Sequence, residues 1–154
     1  MKKVVCACLV LLMALNIVGL SPALADKKKD GVTYKTLDYN DILRNPMSNW
    51  GVKYYIEGTV LQIFRMENKI GPSDTYLCFK IATKNGYDNA VVCRIDNSFI
   101  NAISLSNIIE GDKVAVYCSC DGKTNFTTVI GSKVSLPIFK FYEPEDIQII
   151  KQKK

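Results

Sequence analysis

The chain contains no histidine. That removes the commonest general base, the Ser-His and Cys-His nucleophile pairs, and the zinc sites that imidazole completes. No glycine-rich phosphate loop and no dinucleotide fingerprint occurs. Glu143, Glu145 and Asp146 are close enough in sequence for acid-base work, but they flank Pro144 in what reads as a terminal turn, a setting for solvated surface groups. The expectation is a protein that is not an enzyme and needs no cofactor and no metal.

Two sets of residues still carry chemistry. Of the six cysteines, Cys6 and Cys8 lie in an N-terminal apolar run, and the other four are Cys78, Cys93, Cys118 and Cys120. An even count in an exported protein favours disulfides, with three complete pairings to choose from. Cys118 and Cys120 fall on one face of one strand and are poor partners for each other. A four-thiolate zinc site lacks the paired Cys-x-x-Cys knuckles such sites use. Free thiols, buried as small hydrophobes, are the competing arrangement. The second set is aromatic and basic: Arg65, Lys69, Tyr76, Lys80, Tyr87 and Arg94. Rings interleaved with cations suit a single-stranded nucleic acid, whose bases stack while Lys and Arg follow the phosphates. Exposed tyrosines and lysines are also ordinary on strands.

The elements that position these residues are legible as alternation. Tyr54, Ile56, Gly58 and Val60 alternate with polar neighbours as in a strand with one buried face, and beyond Val60 the apolar set shifts to Leu61 and Ile63. A one-residue shift predicts a bulge or bend between Gly58 and Leu61. After Gly71-Pro72-Ser73-Asp74, a second strand runs from Thr75 to Thr83. A third runs from Asn89 to Ile95, beyond a hairpin at Asn85-Gly86. A two-residue loop there sets Cys78 opposite Cys93, the expected disulfide, because opposed residues of an antiparallel ladder lie within bridging distance. A five-residue loop sets Phe79 opposite Cys93.

Phe99, Ile100, Ile103, Leu105 and Ile108 approximate helical spacing. A fourth strand follows from Lys113 to Cys120, a turn at Asp121-Gly122, a further hairpin between residues 126 and 136, and a last extended segment to Tyr142. Upstream, Asp38 caps a short helix through Arg44, with Tyr39, Ile42 and Leu43 on one face, and Asn45-Pro46 ends it. Trp50, the single tryptophan, is expected as a lid over the barrel end. The fold class is therefore all-β: a five-stranded Greek-key barrel of the oligonucleotide/oligosaccharide-binding (OB) type, with an extra hairpin, a short N-terminal helix and a helix between strands 3 and 4. Such barrels bind along the outer face of their second and third strands, where the aromatic and basic set falls.

The N-terminus reads as an export signal. Met1-Lys2-Lys3 is basic, an apolar run reaches Leu20, and Ala23-Leu24-Ala25 offers a cleavage site. A retained anchor is the competing reading. Removing residues 1–25 takes Lys2 and Lys3 from 20 basic residues and leaves 18 against 15 acidic ones, a net charge near +3. Much of that excess lies in Lys27-Lys28-Lys29 and in Lys151-Gln152-Lys153-Lys154, expected as a flexible basic linker (26–37) and a basic tail (151–154) around one barrel domain (38–150).

The segments Tyr39 to Pro46, Gly51-Val52-Lys53, Glu57 to Gln62, Asn85 to Asn89 and Gly111 to Val114 resemble a family of exported or membrane-anchored OB-like domains of Gram-positive bacteria. A known relative is the C-terminal domain of the clostridial negative regulator of toxin genes. The resemblance spans about Tyr39 to Ile150 and implies an OB barrel, with a link to single-stranded DNA for that regulator. This chain departs from the regulator in lacking its long region between anchor and barrel. The leading expectation is an exported binding module in the secreted or cell-envelope fraction, with a protein, peptide or glycan ligand and no membrane span after cleavage. A single-stranded nucleic-acid-binding domain is the alternative.

Overall fold

In the computed structural model, residues 26–67, 75–84, 86–127 and 130–153 are described. The export segment 1–25 and Lys69 lie outside them. Among the described residues no helix is long and apolar enough to cross a membrane.

Among the described residues eight strands make one sheet: β1 (Lys27–Lys29), β2 (Val32–Thr36), β3 (Lys53–Glu67), β4 (Thr75–Lys84), β5 (Gly86–Asp96), β6 (Lys113–Thr127), β7 (Lys133–Lys140) and β8 (Ile147–Lys151). Five of them close a barrel because β3 is used twice. Its first half pairs antiparallel with β6 from Lys53 to Thr59, and its second half pairs with β4 from Thr59 to Glu67. Antiparallel β4–β5, parallel β5–β7 and antiparallel β7–β6 complete the circuit. This order, with its single parallel contact inside the barrel, is the OB Greek key.

The change of partner along β3 occurs where the sequence predicts a bend. The register slips between Val60 and Gln62, so Ile63 returns to the inside while Phe64 and Met66 point out. Gly58 permits the turn-over: a Cβ there would stand 2.2 Å from the Ala82 carbonyl oxygen and 2.5 Å from Ile81 Cγ2. Inside, alternate residues of all five strands form one core that includes Ile56, Ile81, Val91 and Val116, all at most 1% exposed. Tyr54 packs edge-on against Phe139, with ring centres 5.7 Å apart.

Helix α1 (Tyr39–Arg44) seats Ile42 in this core. Asp38 caps it by accepting from the Asp41 amide at 3.0 Å. A 3-10 turn (Asn97–Phe99) and the short helix α2 (Ile103–Ser106) fill the interval before β6, where Leu105 and Ile108 are buried and Ile103 is exposed.

Several expectations are corrected. Asp121-Gly122 is not a turn: β6 runs on to Thr127 with a register slip between Cys120 and Lys123, and Gly122 takes φ +91°. The extra hairpin is thus the far half of the β6–β7 ladder. The segment expected as a linker, 26–37, contains an antiparallel hairpin, β1–β2, turned by Asp30-Gly31 at φ 51° and 77°, the positive pair a two-residue turn requires. Lys29 of this hairpin is fixed to Asp146 at 2.6 Å, and Lys151 closes β8 instead of opening a tail. Trp50, expected as a lid, is 59% exposed, and its ring edge lies 3.5 Å from where a Cβ on Gly122 would stand.

The β4–β5 register sets Phe79 opposite Cys93 and Cys78 opposite Arg94. Cys93 therefore points into the barrel and Cys78 out of it, so the expected Cys78–Cys93 bridge cannot form, and four thiolates do not converge on one metal. Cys78, Cys93, Cys118 and Cys120 are all free and buried. Cys93 and Cys118 lie thiol to thiol inside the barrel, where burial pushes the Cys118 pKa up.

Candidate nucleic-acid interface

The outer face of β4 and β5, where an OB barrel is expected to bind, is built over. Cys78 and Val92 are 0% exposed, Ala90 2%, and Leu136 and Ile138 of β7 5% each. Leu61, Phe64, Met66, Tyr76 and Phe126 pack against them as a second apolar cluster. The cluster is closed by the far halves of β3 and β6, whose Phe64 and Phe126 meet edge to face at 5.8 Å. Burial pushes the Cys78 thiol up to about 12, which leaves it protonated and unreactive at neutral pH.

One step along the same strands the surface changes character. The register partners Cys78, Arg94, Lys140, Ser119 and Lys53 form a lateral row across β4, β5, β7, β6 and β3. Two residues away along the chain in each case, on the same side of the row, stand Tyr76, Asp96, Tyr117 and Tyr55 on their strands and Tyr142 just past the end of β7. Side chains two apart on a strand share a face, so the three cations Arg94, Lys140 and Lys53 of one row lie beside the four rings of the other, with Asp96 among the rings.

The contacts confirm the alignment. Arg94 Cζ sits 4.2 Å from the Tyr76 ring centre, and Lys140 Nζ lies 6.0 Å from Tyr76 and 5.4 Å from Tyr142. Lys53 Nζ is 4.9 Å from the Tyr142 ring and donates to Ser119 Oγ at 3.1 Å. Tyr55 and Tyr117 lie 5.0 Å apart, and Tyr34 meets Tyr117 edge-on at 5.0 Å. The β1–β2 hairpin lays Lys27 over Tyr55 at 5.5 Å and Lys29 over Tyr117 at 5.1 Å.

The charges in this band are not equivalent. Arg94 pairs with Asp121 and Lys29 with Asp146, while Glu57 lies 3.9 Å from Lys113. Asp96, the acid within the tyrosine row, is held below the usual carboxylate range by the Ser98 amide at 2.9 Å. Lys27, Lys53 and Lys140 form no ion pair among the described residues. Burial raises the pKa of Tyr55, and its hydroxyl donates to Glu57 Oε1 at 2.5 Å, so that ring stays neutral. Burial and the charge of Asp146 do the same for Tyr34. Tyr142 is the most open ring, 49% exposed.

Of the residues the sequence nominated, Tyr76 and Arg94 are brought together. Lys80 is outward and half-buried beside Gln62 and Val92. Arg65 pairs with Leu77, whose side chain enters the core, so it lies on the opposite face of the sheet from Tyr76. Tyr87 falls in the opening residues of β5. The sequence reading missed Lys53, Tyr55, Tyr117, Lys140 and Tyr142. The signal was present as Lys-x-Tyr, which occurs at Lys53-Tyr54-Tyr55 and at Lys140-Phe141-Tyr142 and in a strand places cation and ring on one face.

No family model and no curated protein sequence matches the chain. Among solved structures, it is similar to the mitochondrial single-stranded DNA binding protein of S. cerevisiae at 18% identity and a TM-score of 0.45, covering 67% of this chain and 98% of that one. It is also similar to the small single-stranded DNA-binding protein of Streptomyces coelicolor at 12% identity and a TM-score of 0.40, covering 64% of this chain and 94% of that one.

Proposed function

We propose that this OB barrel is a non-enzymatic binding module for single-stranded nucleic acid. The supporting observation is the band in which each of three lysines without an ion pair, Lys27, Lys53 and Lys140, stands against the face of a tyrosine. An unpaired strand presents phosphates and flat bases at neighbouring positions, and this surface offers a cation and a ring at each of them. A protein or glycan ligand in the cell envelope, the reading the sequence favours, would not require cations at every ring.

The test is a titration with a labelled mixed-sequence oligonucleotide as a single strand, as its duplex, and against polyphosphate. The single strand should bind more tightly than the other two. Three phosphate contacts give a log-log salt slope of about −2, at roughly 0.7 per contact. Absence of binding at low salt, or equal affinity for polyphosphate, would contradict the proposal.

A further inference from the structure

Resting on that reading, we propose that the bound strand does not run along the outer face of β4 and β5. It crosses the barrel laterally, from Tyr76 over Tyr142 to Tyr55 and Tyr117, and ends beside the β1–β2 hairpin. Three observations carry this path. The β4–β5 face is occupied by its own apolar cluster, in which Cys78 and Val92 have no exposed surface. The two register-aligned rows cross five consecutive strands and carry cations on three of them (Arg94, Lys140, Lys53) and rings on four (Tyr76, Tyr142, Tyr117, Tyr55), over a span of about 19 Å, four interstrand steps of ~4.8 Å. The cations stand between the rings: Lys140 Nζ lies 6.0 Å from the Tyr76 ring centre and 5.4 Å from that of Tyr142, and Lys53 links Tyr142 to Ser119, two residues along β6 from Tyr117.

The path assigns distinct roles. Arg94 is held by Asp121, and its Nε is buried without a hydrogen-bond partner among the described residues. It therefore braces Tyr76 instead of following the phosphates. The phosphates fall to Lys140, Lys53 and Lys27, in that order around the barrel. Lys27 reaches the band only because the N-terminal hairpin folds against β3, with Lys35 and Thr36 of β2 beside Tyr54 and Tyr55. The hairpin is thus part of the interface.

The experiment compares single-strand affinity for Lys53→Ala, Tyr142→Ala and Lys80→Ala, with Lys123→Ala as a charge-matched control on the far half of β6. Tyr142→Ala should weaken binding about 10-fold, the loss of one stacking ring. Lys53→Ala should lower the magnitude of the salt slope by about 0.7, and Lys123→Ala should bind as the parent does. Wild-type affinity in Lys53→Ala and Tyr142→Ala combined with loss in Lys80→Ala would put the strand on the β4–β5 face and overturn the path while the function stands. A parent protein that binds no single strand would overturn both.

Discussion

On β5 and β7 the outward register partners Val92 and Ile138 are sealed, while two positions along the same strands the partners Arg94 and Lys140 are only half-buried. Backbone and curvature are shared, so the difference lies in what reaches over each row. The far halves of β3 and β6 bring Phe64 and Phe126 over the first row and turn an OB outer face into core. The second row is left to rings and cations that pack on each other. Fold therefore does not fix which side of such a barrel is available; the length of the arms does.

The largest expected effect sharpens this contrast. Ile138→Ala removes a residue 5% exposed from the sealed row and should destabilise the protein by about 2–5 kcal/mol, read as a shift in the urea midpoint. The folded fraction should still bind a single strand as the parent does. A loss of affinity in the folded protein would show that the sealed row contributes to the interface.

A pH series probes the interior. Burial pushes the Cys78 thiol from 9.0 to about 12 and the Tyr54 hydroxyl from 10.0 to about 12. The fold holds both groups neutral. That contribution to stability is full below the unfolded values and is lost as pH rises through the folded ones. The urea midpoint should not change on this account between pH 7 and about 8.5, and should fall above about pH 9. Alkylation of Cys78 at pH 8 should follow unfolding, and rapid labelling of folded protein would mean that the arms open. The smallest effect is local to α1: Asp38→Ala removes its cap and should cost about 1 kcal/mol with no change in binding.

How much of this was legible follows from range. Alternation within β3 revealed its buried face and a bend expected between Gly58 and Leu61, which the structure has as a register slip between Val60 and Gln62, because both are local. The Asp38 cap and the Asn45-Pro46 stop were readable for the same reason. The lateral rows were not, since Lys53, Arg94, Ser119 and Lys140 are adjacent only after the barrel closes. Two ambiguities also misdirected the reading. Asp121-Gly122 has the composition of a turn but makes a bulge, and β4 and β5 pair as far as Lys84 and Gly86 with a register slip between Ala82 and Lys84, which neither expected loop length contains and which sets Phe79 opposite Cys93. Lys27 and Lys29 read as a solvated run because nothing in the sequence shows the tyrosines and the carboxylate that receive them.

The account is tested most directly by lysine modification with and without a saturating single-stranded oligonucleotide, read by mass spectrometry. Lys27, Lys53 and Lys140 should be protected, and Lys123 and Lys133 on the far half of the β6–β7 ladder should react as before. Protection confined to Lys80, Lys123 and Lys133, with Lys53 and Lys140 still reactive, would contradict it.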